Sequence, residues 1–171
     1  MVLFIISLIS LFVTPSMSGF VDNNRLHAGA SDLMAAMQNA RAEAVGRNAA
    51  ATLCKRNADA TGCVTTGGWQ QGWIVFVDAN RDATVDAGEE VILVHDALSN
   101  GLTFYGTDQV EDSITFRAGG QTGITSTQTL ILCDHRGFGI NAKGMIVSIL
   151  GRASAMPAPN TGQTTCLVPE A

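Results

Sequence analysis

Charge and aromatic side chains are scarce in this chain. Of its 171 residues, 15% are charged and 6% aromatic. Lys and Arg number ten against fifteen Asp and Glu, for a net charge of -5. That balance disfavours a general binder of nucleic acid or anionic lipid, which needs a basic surface. There is no Cys-x-x-Cys pair and no His at zinc-finger spacing, which excludes the common structural zinc sites. Gly-x-Ser-x-Gly, His-Glu-x-x-His and a phosphate-binding glycine loop are also missing. The first positive charge is Arg25, so the opening apolar run does not read as a signal peptide with a basic n-region. We read the chain as non-enzymatic, with no cofactor required.

What is present begins with that run. Met1 to Val13 reads MVLFIISLISLFV, roughly 20 Å of helix, whereas a bilayer core needs about 20 residues. The expectation is that the natural start lies upstream of Met1. Residues 1–21 are then a membrane and filament-core helix segment, kinked at Pro15, which removes a backbone donor. Beyond it Leu26, Ala30, Leu33, Met37, Ala40 and Ala44 recur at helical spacing. Residues 22–47 therefore form an amphipathic helix, ending near Gly46–Asn48, where Gly and Asn suit a helix terminus.

From residue 48 the pattern changes to short runs of Val, Ile, Thr and Phe between Gly, Asn and Asp turns. Expected strands are 50–54, 72–77, 91–95, 102–105, 113–116, 129–133, 145–150 and 164–168. Most connections are too short for crossover helices, so the sheets are antiparallel. The fold class is α+β: a long N-terminal helix, apolar in its first half, packed on antiparallel β-sheets. The chain divides into the segment 1–21 and a globular domain over 22–171, β-rich from 48 on.

Four cysteines beside an N-terminal apolar helix read as two disulfides formed outside the cytoplasm. Three pairings of Cys54, Cys63, Cys133 and Cys166 are open. The preferred one closes a short polar loop with Cys54–Cys63 and ties the tail to a strand with Cys133–Cys166. Asp78, Asn80, Asp82, Thr84, Asp86 and Glu89 stand at the oxygen-ligand positions of a calcium loop. Against calcium, the sixth position is Ala83 rather than Gly, and the flanks read as strands. The alternative is a solvated acidic hairpin loop. Residues 78–90 hold five acids and Arg81, for a net charge of -4. The basic residues are scattered; Arg136, Lys143 and Arg152, from neighbouring strands, are the candidate nucleic-acid patch. Asp134-His135-Arg136 reads as a charged turn, because neighbours on a strand end face opposite ways. Trp69 and Trp73 read as core.

These residues resemble the type IV pilin-like superfamily, and within it the minor pseudopilins of the GspH/FimT family. The resemblance runs through Pro15, Asn24-Arg25-Leu26, Ala40-Arg41-Ala42-Glu43-Ala44 and Arg47. It continues through Thr52-Leu53-Cys54, the Gly68-to-Asp78 segment GWQQGWIVFVD, Ile114-Thr115-Phe116, Leu132-Cys133-Asp134-His135-Arg136-Gly137 and Gly151-Arg152. It implies a structural subunit of type IV pilus biogenesis, single-pass in the bacterial inner membrane, with a periplasmic domain. Its partners would be other pilins or pseudopilins, met through the N-terminal helix. Three other readings stand beside it: a type II secretion pseudopilin, a DNA-binding minor pilin of natural transformation, and a calcium-binding secreted module. The chain departs from the family twice. The basic leader, the cleavage-site glycine and the helix glutamate used in prepilin processing and N-methylation do not occur from Met1 on, as expected if the natural start lies upstream. Of the arginine cluster of DNA-binding members only Arg152 is present.

Overall fold

A computed structural model describes residues 2–162 and 164–166, with side chains from residue 18 onward. Helix α1 spans Val2–Arg47, 46 residues in one piece, about 69 Å at 1.5 Å per residue. It runs through Pro15 without interruption and crosses the boundary expected at 21/22 as one element. The bend expected at Pro15 concerns a side chain outside those described.

One face of α1 is buried. Leu26, Ala30, Leu33, Met37, Ala40 and Ala44, with Ala36 beside them, all lie in the main core. Their alternating spacing of four and three keeps them on one side of a 3.6-residue helix. The end of α1 is closed by its own backbone. Asn48 adopts φ 52°, the Ala49 N–H reaches the Ala44 carbonyl at 3.2 Å and the Asn48 N–H reaches Val45 at 3.3 Å. This is a Schellman closure, with Asn taking the left-handed position usually held by Gly.

Eight strands follow: β1 Ala51–Lys55, β2 Trp73–Val77, β3 Val91–His95, β4 Thr103–Gly106, β5 Ser113–Phe116, β6 Gln128–Cys133, β7 Lys143–Val147 and β8 Ala153–Pro157. They form two four-stranded sheets, ordered β3-β2-β1-β5 and β4-β6-β7-β8. Every pairing is antiparallel. The buried face of α1 lies across both sheets and touches strands of each, which makes one continuous apolar core from Leu26 to Val147.

Seven of the eight expected strands form, two with the expected bounds and five with ends displaced by one to three residues. The eighth does not. Residues 164–166 are irregular, and 167 and 168 lie outside the described residues. The eighth strand is instead β8, whose Ala-Ser-Ala-Met-Pro sequence has no β-branched residue. Pairing to β7 decides it, from Val147 opposite Ala153 to Lys143 opposite Pro157. Context outweighs propensity in such a hairpin arm.

Candidate functional site

The helix presents two seams. Opposite the buried one, Val21, Asn24, Ala28, Ser31, Ala35, Gln38, Ala42 and Val45 recur at spacings of three and four, and all are exposed. None is charged, although Arg25, Asp32 and Arg41 lie on neighbouring rows. Long side chains are few, so another backbone can approach closely, as small residues permit between packed helices. Phe20, at the start of this stretch, is 65% exposed. A groove of about 430 Å³ on one side brings Val21, Ala28 and Gly29 beside Leu98 and Leu102. A second of about 220 Å³ brings Ser31, Ala35 and Gln38 beside Ala155. Sequence reasoning missed this seam. Its heptad spacing is visible in the sequence, but Asn, Ser and Gln within it read as solvated surface until the buried face is known.

A polar clasp holds the second sheet to α1 near where the packed part of the helix begins. The Arg136 guanidinium donates to Asp134 at 2.6 Å and to the side-chain Oδ1 of Asn23 at 2.8 Å. Burial pushes the Asp134 carboxyl up, but hydrogen bonds from the Arg136 side chain and backbone outweigh it and hold the group below its usual range. The same pairing raises the Arg136 guanidinium. Residues 134–137 form a turn closed by Gly137 N–H on the Asp134 carbonyl at 2.8 Å.

The candidate nucleic-acid residues do not form one patch. Leu132 pairs with Lys143, which puts Arg136 and Lys143 toward one end of the second sheet. Arg152 stands beyond the opposite end of the β7–β8 hairpin, its carbonyl bonded to Ser148 N–H at 2.9 Å. The five-residue span of β7 separates them by about 17 Å, and Arg136 is already engaged by Asp134.

The acidic loop is organised from within. Asp78 is fully buried. Its carboxylate accepts the Arg81, Asp82 and Ala83 backbone N–H groups at 2.6, 3.2 and 3.2 Å, and the Thr52 hydroxyl at 2.6 Å. Asn80 Nδ2 donates to Asp82 and Asp86 at 2.9 and 3.0 Å. The Glu89 carboxylate takes the Ala79 and Asp86 N–H groups at 2.9 and 3.1 Å, and Thr84 N–H binds Asp82 at 2.8 Å. The ligand set expected for calcium is thus bonded to the loop's own N–H donors, with an amide nitrogen between two of the carboxylates. Among the described residues, carboxylate and imidazole ligand atoms gather in threes within 4.8 Å only at Asp22, Asp134 and His135, where Arg136 already holds Asp134.

Two disulfides join Cys54 to Cys63 and Cys133 to Cys166. The first caps a small apolar cluster of Cys54, Ile74 and Phe76 on the outer face of the first sheet. Trp69 and Trp73 are wholly buried in the core. The Trp69 indole donates to the Val110 carbonyl at 3.1 Å, and Trp73 stacks on His95 with centroids 4.1 Å apart.

Residues 29–151 match the family model described as Type II transport protein GspH. No curated protein matches the chain in sequence. Among solved structures, the fold is similar to the type IV minor pilin FimU of Pseudomonas aeruginosa, with 22% identity and a TM-score of 0.62 over 82% of this chain and 94% of that one. It is also similar to the minor pseudopilin EpsH from the Type 2 Secretion System of Vibrio cholerae, with 8% identity and a TM-score of 0.50 over 78% of this chain and 97% of that one. At such identities the likeness concerns the fold, a long helix on two antiparallel sheets.

Proposed function

Because the chain belongs to the Type II transport protein GspH family, we propose that it is a structural subunit, a minor pilin of type IV pilus biogenesis. In this reading it performs no catalysis. Its first residues sit in the inner membrane, its domain faces the periplasm, and its helix packs against helices of other subunits. Among the described residues no helix is long and apolar enough to cross a membrane, so membrane insertion belongs to the proposal.

The observation that carries the reading is the uncharged exposed seam of α1. A helix serving only its own domain needs one apolar face and is free to carry charge opposite it. Here the opposite side keeps a continuous row of small and neutral side chains from Val21 to Val45. Subunit packing through helices accounts for that row; a secreted monomeric module does not.

Cysteines placed at Ala28 and Ala35 test it by maleimide crosslinking in intact cells. Crosslinks to other helix-bearing subunits are expected from both, and none from a cysteine at Val94 on β3. Crosslinking from Val94 alone, or monomer throughout, would overturn the reading. The type II secretion alternative separates by phenotype. A deletion strain that loses surface pili and keeps secretion supports the pilin reading, and the reverse supports the pseudopilin.

A further inference from the structure

The outer side of the first sheet carries a groove of about 570 Å³ between the 78–90 loop and the 117–124 turn. Asn80, Arg81, Gln109, Ser113, Thr115 and Arg117 supply its polar lining, with no carboxylate among the lining residues. That is unusual in a chain of net charge -5. The side chains of Arg81, Arg117 and Ser113 have no partner among the described residues, whereas Asn80, Gln109 and Thr115 are engaged with Asp82, Thr125 and Thr52. Two guanidinium groups on one groove repel each other unless an anion lies between them.

The acidic loop explains how Arg81 comes to be there. Arg81 takes φ 64°, a left-handed conformation that a long side chain adopts only when held. The holding group is the buried Asp78 carboxylate, 2.6 Å from the Arg81 N–H. The bonds that close the loop also present this arginine beside the groove.

The groove runs along an edge that is open around Ser113 and is bridged farther on, from Phe116 to Thr122. β5 is the last strand of its sheet. Lys55 N–H bonds the Asp112 carbonyl at 3.1 Å, and the alternation of an antiparallel ladder then turns Ile114 and Phe116 toward β1 and Ser113 and Thr115 away. The Thr115 carbonyl takes the Gly123 N–H at 3.0 Å. Among the described residues the Ser113 backbone groups and the Thr115 N–H have no partner, so an added chain can pair there, the mode in which sheet edges bind extended peptides.

We propose that this groove binds an extended acidic segment of a partner protein, with its carboxylates received by Arg81 and Arg117 and its backbone paired to the edge of β5. A nucleic acid fits less well. Its backbone would pass the 78–90 loop, whose net charge is -4, and only two unpaired arginines face it. A peptide can place one or two carboxylates where the guanidiniums stand and remain neutral elsewhere.

Titration of the ¹⁵N-labelled full chain in nonionic detergent tests this, with acetyl-tetraglutamate amide as the probe. The expected result is saturable movement of the amides of Arg81, Ser113 to Arg117, Gly123 and Ile124. It should be absent with the tetraglutamine peptide and weakened by salt. Arg81→Gln and Arg117→Gln should each lower the affinity about tenfold, with unchanged melting temperature, since both side chains are exposed. No saturable movement at these amides, or equal affinity for both peptides, overturns the proposal. So does an equal or stronger response to sodium phosphate or to a twelve-residue oligothymidylate, which would make this a phosphate site. Failed crosslinking at Ala28 and Ala35 would leave the result unchanged, because the titration reads the isolated chain.

Discussion

The Thr52 hydroxyl donates to the buried Asp78 carboxylate at 2.6 Å, and through that bond the first strand of the sheet anchors the acidic loop. Thr52 also meets Thr115 Oγ1 at 2.7 Å, so loop, β1 and β5 share one polar chain.

Asp78 is therefore a structural acceptor. Asp78→Ala strands three backbone N–H groups and should cost about 2–4 kcal/mol. The melting temperature of the parent should be the same in EDTA and in millimolar calcium. A calcium-dependent rise in the parent that is lost in the variant would mean the loop closes on an ion instead.

Leu33 is fully buried where α1 meets the sheets. Leu33→Ala should cost about 2–5 kcal/mol by leaving a cavity. Gln38→Ala, on the exposed seam, should change stability by no more than about 0.5 kcal/mol. Urea melts of both variants check the pair, and equal losses would contradict the packing described.

Gly151 has φ 74°, and a Cβ there would overlap the Gly120 carbonyl oxygen. Gly151→Ala should lose about 2 kcal/mol or more, a fall of roughly 4–8 °C in Tm for a chain of this size. Gly139→Ala, where nothing lies within 4 Å, is the control and should melt like the parent.

The two disulfides close loops of different length, with sequence separations of 9 and 33. Chain entropy assigns them about 2.6 and about 3.7 kcal/mol. Replacing Cys133 and Cys166 by Ser should thus lower Tm more than replacing Cys54 and Cys63. The opposite order would show that the apolar cluster under the short loop matters more than loop entropy.

The Asp134–Arg136 pairing makes stability depend on pH. The folded carboxyl titrates below its unfolded value near 4. Its contribution is fully present above that value and is lost as pH falls through the folded pKa. The gap in Tm between parent and Arg136→Gln should accordingly be constant near neutrality and shrink in acid. A gap unchanged down to pH 2 would remove Asp134 as the cause.

Much of the fold was legible because it rests on local periodicity. The four-and-three spacing from Leu26 to Ala44 specifies a buried helix face, and alternating β-branched residues specify most of the strands. The Asn48 terminus could be read from chemistry as well. β8 could not, because its small residues are extended only by the hairpin with β7. The basic trio was misjudged for a related reason: sequence proximity says nothing about which end of a sheet a residue reaches. The register of β6, β7 and β8 put Arg136 and Arg152 at opposite ends. Spacing places the oxygens of the 78–90 loop but does not reveal where its backbone N–H groups point; those of residues 81–83 point at Asp78. The helix, its packed face and the antiparallel β-rich body are already specified by residue order, since they follow from short-range sterics and the burial of apolar side chains. Tertiary structure alone decided which helix face stays open and which arginines are left without partners, because both depend on contacts between residues far apart in the chain.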